Sequence, residues 1–234
     1  VDDLSDNDRE EPLRRGWSEN WLWLVGGVAL GLGALGGWQY WQQTRLQAAE
    51  QDEATYLAVL DALSKTDTAG AGKQADGLRA QHPKSPYADQ ADLALARALV
   101  DQRQFDDAAR RLRAVADASR DPQLRLIAQS RLARVLAEQG KHNDALKLLD
   151  MGKAGAFAPV FHEIRGDVYT AQGDASSARR EYDSALAADK TADGALLDTR
   201  YVELKRDALA STGTVAAATP APAASPAPST GTQP

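Results

Sequence analysis

From Trp21 to Trp41 the chain carries no charge and almost no polar side chain, whereas beyond Gln42 apolar residues recur in steps of three and four between charged and amide side chains. The first pattern predicts one helix that is apolar all round, the second a series of amphipathic helices. A helix of roughly 21 residues rising ~1.5 Å per residue is about 31 Å long, which matches a hydrocarbon core about 30 Å thick. Every tryptophan, Trp17, Trp21, Trp23, Trp38 and Trp41, lies in or beside this run. With Tyr40 they gather at its two ends, where an amphipathic ring suits the headgroup layer. Residues 21–41 are therefore expected to form a transmembrane anchor.

A cleaved signal peptide is the alternative. Its apolar core would span about 7 to 15 residues and end at small side chains. This run ends instead in Trp38-Gln39-Tyr40-Trp41-Gln42-Gln43, which favours an uncleaved anchor. Arg9, Arg14 and Arg15 precede the run and only Arg45 follows closely. The positive-inside bias, to which carboxylates such as Asp2, Asp3 and Glu10 contribute little, then keeps residues 1–20 cytoplasmic and exports the rest. Gly27 with Gly31 and Gly33 with Gly37 stand one helical turn apart, forming small-residue faces on which another membrane helix could pack closely.

Beyond the anchor the chain repeats itself. Gly166, Tyr169, Gly173, Ala178, Tyr182 and Ala185 align with Ala133, Leu136, Gly140, Ala145 and Leu149, and these with Ala96, Leu99, Arg103, Ala108 and Leu112. The marker alanines Ala108, Ala145 and Ala178 are 37 and 33 residues apart. That spacing brackets the period of about 34 residues that belongs to tetratricopeptide helix pairs. In each unit a small first-helix residue (Ala96, Ala133, Gly166) is expected to face a small second-helix residue (Ala108, Ala145, Ala178). Turns are marked by Gly140-Lys141-His142-Asn143-Asp144 and by Gly173-Asp174, with Asn or Asp available as caps. Asp121-Pro122 and Ala158-Pro159 open first helices.

Flanking segments read as end units. A helix over Gln42–Leu63 continues from the anchor and a second follows from about Gly72 to Gln81, before the break His82-Pro83-Lys84-Ser85-Pro86. Ala192–Ala210 is expected as a capping helix with Leu196, Leu197, Tyr201, Leu204 and Ala208 on its covering face. Residues 211–234 are uncharged and rich in Ala, Pro, Ser and Thr, a composition for a disordered tail.

The fold class is thus all-α: a single N-terminal transmembrane helix, a tetratricopeptide-like solenoid over 42–210 with its cap, and a disordered tail. Alanine and leucine dominate the solenoid, and β-branched residues are few. The absence of cysteine removes disulfides, thiol nucleophiles and thiolate metal sites. A net charge of −6 argues against nucleic acid as partner. No cofactor, metal site or catalytic constellation is expected. His162-Glu163 opens like a helical zinc motif, but Gly166 stands where the second imidazole would be, so His162 is expected to pack at a repeat seam. His82 and His142 are expected to be solvated. The surface that remains for function is the concave face lined by first helices, with inward-facing Gln90, Leu93, Arg97, Val100, Ile127, Ser130, Arg134, Ala137, Glu163, Asp167 and Thr170. Mixed apolar and charged groups of both signs suit varied contact with polypeptide segments. The Lys and Asn pattern of cytosolic carboxylate-clamping repeats is not matched, since Leu93 and Arg97 stand where it would begin.

The anchor run from Gly27 to Trp41, most distinctively its end Gly37-Trp38-Gln39-Tyr40-Trp41, the run Arg131-Leu132-Ala133-Arg134-Val135, and Arg165-Gly166-Asp167 followed by Gln172-Gly173-Asp174 resemble the YfgM-like ancillary subunits of the bacterial SecYEG translocon, over about residues 15–209. The resemblance implies an inner-membrane protein whose periplasmic repeats act beside SecYEG with a PpiD-type periplasmic chaperone on unfolded or exported polypeptides. The Ala/Pro tail departs from the family, as does Val1 where an initiator Met would be expected. Two alternatives stay open: a structural envelope scaffold reaching outward through the tail, and a membrane tether of a cytoplasmic stress regulator through residues 1–20.

Overall fold

The computed structural model describes the backbone of residues 7–190 and 196–216, and side chains at 23, 25–190 and 196–209. Among these residues every regular element is a helix: α1 (Asn7–Ser64), α2 (Thr68–Gln81), α3 (Pro86–Asp101), α4 (Phe105–Ala118), α5 (Pro122–Glu138), α6 (His142–Leu148), α7 (Ala158–Ala171), α8 (Ala175–Asp189) and α9 (Thr199–Ala216). The C-terminal part of α1 pairs with α2, then α3 with α4, α5 with α6 and α7 with α8, and α9 closes the stack against α8.

One turn recurs through the stack and explains the repeat. In the pairs α3/α4, α5/α6 and α7/α8 the amide donated to a carbonyl five residues back joins Gln104 to Leu99, Lys141 to Leu136 and Asp174 to Tyr169, at 2.8, 2.8 and 2.9 Å. The same bond, 2.9 Å from Asp67 N to Ala62 O, closes α1/α2. This pattern ends a helix only if the residue between is left-handed. Gly140 and Gly173 take φ +74° and +78° there, and Thr66 and Arg103 adopt φ 62° and 58° without glycine's freedom. The first pair, which reads as atypical in sequence, is therefore a full member whose Val59, Ala62, Ala71 and Ala75 sit buried in register with Ala96, Leu99, Ala108 and Leu112. Its second helix starts at Thr68, capped by Asp67 accepting from Gly70 N at 2.8 Å, earlier than the glycine at 72 suggests.

The marker alanines are buried as expected, with Ala108, Ala133, Ala145 and Ala178 wholly enclosed. Gly166 differs. A Cβ there would lie 2.5 Å from Tyr182 Cε1, so the glycine makes room for the tyrosine ring rather than for Ala178. Apolar packing falls into three clusters: one around Val59, Leu95 and Ala108, a central one holding Leu112, Leu132, Phe161 and Ile164, and a third around Tyr182 and Val202. A charge cluster with two buried carboxylates joins α2, α3 and α4. Arg79 on α2 donates to Asp92 through Nε at 3.0 Å and Nη2 at 2.6 Å and to Asp89 at 2.8 Å, while Arg111 on α4 reaches the other Asp92 oxygen at 3.2 Å. Burial pushes the Asp92 carboxyl above its usual range against the pull of both arginines, and Asp92, shared by Arg79 and Arg111, ties α2, α3 and α4 together.

Several expectations need correcting. α6 has a single short run and gives way at Leu149 to 3-10 turns over Met151–Lys153 and Gly155–Phe157, because Asp150 caps Gly152 N at 3.0 Å and Gly155 turns left-handed at φ 51°. Asn143 and Asp144 lie inside α6 and do not cap it; its capping position is Lys141. Asp174 does cap, accepting from Ser177 N at 3.0 Å. The closing helix begins at Thr199, not at 192, and residues 191–195 lie outside the described ones. Its buried face carries Val202, with Leu209 half-buried, whereas Tyr201 and Leu204 are exposed. Asp189 secures the approach by accepting from Leu196 N and Leu197 N at 3.1 and 3.3 Å. The helix extends to Ala216, into the stretch expected as tail; residues 217–234 lie outside the described ones.

α1 runs unbroken through the expected anchor into the first repeat. Among the described residues no helix is long and apolar enough to cross a membrane. The side chains of Trp21, Leu22 and Leu24, at the opening of the expected span, lie outside those residues. Along the rest, Trp23, Leu30, Leu32, Leu35 and Trp38 are exposed, and a Cβ built on Gly27, Gly31, Gly33 or Gly37 would meet nothing within 4 Å.

Candidate protein-binding groove

First helices α3, α5 and α7 succeed one another along one face of the stack, each against the next. Of the residues expected to line that face, Arg97, Arg134 and Thr170 are exposed and Gln90, Val100, Ile127, Ala137 and Asp167 half-buried. Leu93, Ser130 and Glu163 are buried. Leu93 belongs to the core, and Ser130 turns its hydroxyl onto Ile127 O at 2.8 Å.

In the C-terminal half of the face the carboxylates are engaged by cations of the same chain, beside a cavity of about 570 Å³ lined by Asp167, Thr170, Tyr182, Lys205 and Leu209. Lys205 of α9 donates to both Asp167 oxygens at 2.8 and 2.9 Å and to Glu163 at 2.9 Å. Arg134 donates to the second Glu163 oxygen at 3.1 Å, and the Tyr182 hydroxyl to Asp167 at 2.8 Å. Burial pulls the Lys205 ammonium down, but hydrogen bonds to Asp167 and Glu163 outweigh it and the net shift is upward. Burial foremost, then Asp167, pushes the Tyr182 hydroxyl up. Glu163 and Asp167 are thus engaged in docking the cap.

The centre is open. Between α3 and α5 a cavity of about 280 Å³ is lined by Ala96, Arg97, Val100, Asp101, Leu112, Arg131, Arg134 and Val135. It adjoins a second, of about 420 Å³, which shares Val100, Asp101, Arg134 and Val135 and adds Phe105. The expected Arg97, Val100 and Arg134 meet here, joined by Arg131, which sequence reasoning passed over. Its signal is the three-residue spacing to Arg134, which puts both on one helix face. Partial burial, then Arg97 and Arg134, holds the Arg131 guanidinium below its usual range.

Two of the histidines contact carboxylates of neighbouring helices. His162 bridges α7 to Glu181 of α8 at 2.7 Å, beside Arg165, whose Nε donates to the same carboxylate at 2.9 Å. Burial raises the Glu181 carboxyl, but those two partners bring it below its usual range. His82 is not simply solvated, since its Nδ1 contacts the buried Asp52 of α1. His142 is half-buried and its Nδ1 has no partner. Among the described residues no group of acidic or imidazole side chains could hold a metal ion.

A stack of helix pairs closed by one recurring turn, with an open inner groove, defines a tetratricopeptide-like repeat scaffold. A tetratricopeptide repeat-like domain family matches residues 14–211. A Podosopora anserina kinesin light chain with nearly identical TPR-like repeats superposes with TM-score 0.53 at 16% identity, covering 71% of this chain and 88% of that one, a likeness of fold alone. The Escherichia coli ancillary SecYEG translocon subunit is 33% identical over 190 residues, 80% of this chain and 90% of the relative. The Neisseria gonorrhoeae protein of the same name is 33% identical over 173 residues, 73% and 82% of the two chains. The chain belongs to the ancillary SecYEG translocon subunit family.

Proposed function

We propose that this protein is a non-enzymatic scaffold of the bacterial inner membrane that holds polypeptides beside the SecYEG translocon, together with a PpiD-type periplasmic chaperone. The observation that carries the reading is the open groove between α3 and α5 on a repeat stack whose relatives are named for that translocon. Residues 21–41 serve as the single-pass anchor, with 1–20 cytoplasmic and the solenoid from 42 through its closing helix periplasmic. Two features of α1 support the anchor. Trp38 and Trp41 lie 5.3 Å apart with Arg45 stacked 4.1 Å over Trp41, an arrangement suited to the headgroup layer. A Cβ on the Gly27/Gly31 and Gly33/Gly37 faces would meet nothing within 4 Å among the described residues, leaving room for a helix of the translocon or the chaperone. The groove is built around Arg97, Val100, Arg131 and Arg134, with Gln90, Ile127 and Ala137 further along the same helices.

The test is affinity purification of the full chain in mild detergent, paired with protease added to spheroplasts. SecYEG subunits should co-purify, and protease should remove the repeats while sparing residues 1–20. Recovery without translocon subunits, or repeats protected until the inner membrane is opened, would contradict the proposal.

A further inference from the structure

Among the groove's charged residues, two arginines stand out for what they lack. Arg134 is paired with Glu163 at 3.1 Å, but Arg97 and Arg131 make no hydrogen bond or ion pair among the described residues. Three guanidinium groups from two helices thus converge on one cavity whose lining holds a single carboxylate, Asp101. All three arginines are exposed, so solvent screens their repulsion. Like charges gathered over an apolar floor still disfavour one another, and Arg131 is held in the less favourable direction by partial burial and by both neighbours. An anion would relieve this, and arginine's planar fork suits a carboxylate in particular.

The floor gives the rest of the chemistry. Ala96, Leu112 and Val135 are buried beneath the arginines and Val100 is half-buried, so an aliphatic group beside the anion would find apolar contact. The adjoining cavity continues past Val100 and Val135 to half-buried Phe105, with Arg103 and Glu138 at its edge. Because the site runs on in this way, it fits a chain passing through rather than one that ends there. We propose that the Arg97, Arg131 and Arg134 pocket recognises an extended partner segment in which an internal Asp or Glu side chain is followed by aliphatic or aromatic residues. The inference rests on the protein-binding reading of the groove and names what that groove selects.

Fluorescence anisotropy of the full chain in mild detergent tests it with labelled peptides capped at both ends. One carries Glu followed by Leu and Phe, a second has Gln for the Glu, and a third has Gln but a free C-terminal carboxylate. The Glu peptide should bind at least tenfold more tightly than the Gln peptide, with affinity falling as NaCl rises. Arg131→Gln should remove that preference, whereas Arg113→Gln, exposed on α4 away from the groove, should not. Since Arg131 holds no partner, its substitution should leave the melting temperature unchanged or raise it, which separates lost binding from lost folding. Equal binding of Glu and Gln peptides overturns the anionic pocket and leaves the groove's protein-binding role standing. Preference for the free-carboxylate peptide overturns the internal acidic segment in favour of a chain terminus. Binding to none of the peptides, with Arg131-dependent binding to anionic phospholipid vesicles instead, overturns the peptide ligand altogether.

Discussion

The recurring left-handed turn makes a prediction of opposite signs at equivalent positions. Arg103 stands where the neighbouring units have Gly140 and Gly173, at φ 58° against 74° and 78°. Its side chain is exposed and makes no hydrogen bond or ion pair among the described residues, so replacing it removes little but the strain. The left-handed conformation costs an L-residue about 1–2 kcal/mol, and glycine's extra freedom in the unfolded chain returns about 0.4–1 kcal/mol of that. Arg103→Gly should therefore stabilise by about 0.5–1 kcal/mol. Gly140→Ala should destabilise by a similar amount, since its Cβ would meet nothing within 4 Å and conformation alone decides. For a domain of this size about 2–4 °C accompanies each kcal/mol, so the melting temperatures should move apart by roughly 2–8 °C. Circular dichroism at a helical wavelength on the full chain in mild detergent reads the shift. Hydrogen exchange at α3 and α4 localises it, as expected for a stack coupled chiefly through neighbours. A lower melting temperature for Arg103→Gly, or no effect of Gly140→Ala, would refute the reasoning.

Other expectations follow from the same contacts. Gly166→Ala drives a methyl group into the Tyr182 ring, which is tethered through its hydroxyl to Asp167 and Thr170. The overpacking of about 1–3 kcal/mol should exceed the ~1 kcal/mol gained in helix propensity, giving a lower urea midpoint. Lys205→Met removes charge-assisted bonds to Glu163 and Asp167 from a partly solvated site, and should loosen α9 by about 1–2 kcal/mol, read as faster amide exchange confined to that helix. The hydroxyl of Ser177 above all, with its amide and Ser176, holds the Asp174 carboxyl down to about 2. A depressed acid stabilises the fold above its ordinary value of 3.8 and loses that contribution as pH falls through about 2, so Asp174→Ala should lower the melting temperature at pH 6 and converge with the parent in strong acid.

What the sequence disclosed follows from how much each feature is local. Apolar periodicity and the alanine spacing were enough for the repeat units, because Ala108, Ala145 and Ala178 fill the same enclosed position in successive pairs. The first pair reads only as an atypical end unit because Thr66 replaces the marker glycine and Ala75 the larger Leu112. The register of the cap was misread for a different reason. Its inward face presents Lys205, whose ammonium is neutralised by Glu163 and Asp167 from a helix about 40 residues earlier, and periodicity of apolar residues alone favours Tyr201 and Leu204 instead. Arg97 and Arg134 were legible on first-helix faces, while Arg131 acquires meaning only once α3 lies across from α5. Glu163 and Asp167 looked like recognition groups because nothing local betrays their partners on α9.

The claim that the α3/α5 groove is where this protein meets its clients is tested most directly by site-specific photocrosslinking in living cells. A photoreactive residue at Arg97 or Val100 should capture translocon subunits, the periplasmic chaperone or exported chains, and one at Arg113 on the exposed side of α4 should capture none of them. Silence from both groove positions, with crosslinks from Arg113, would contradict the account.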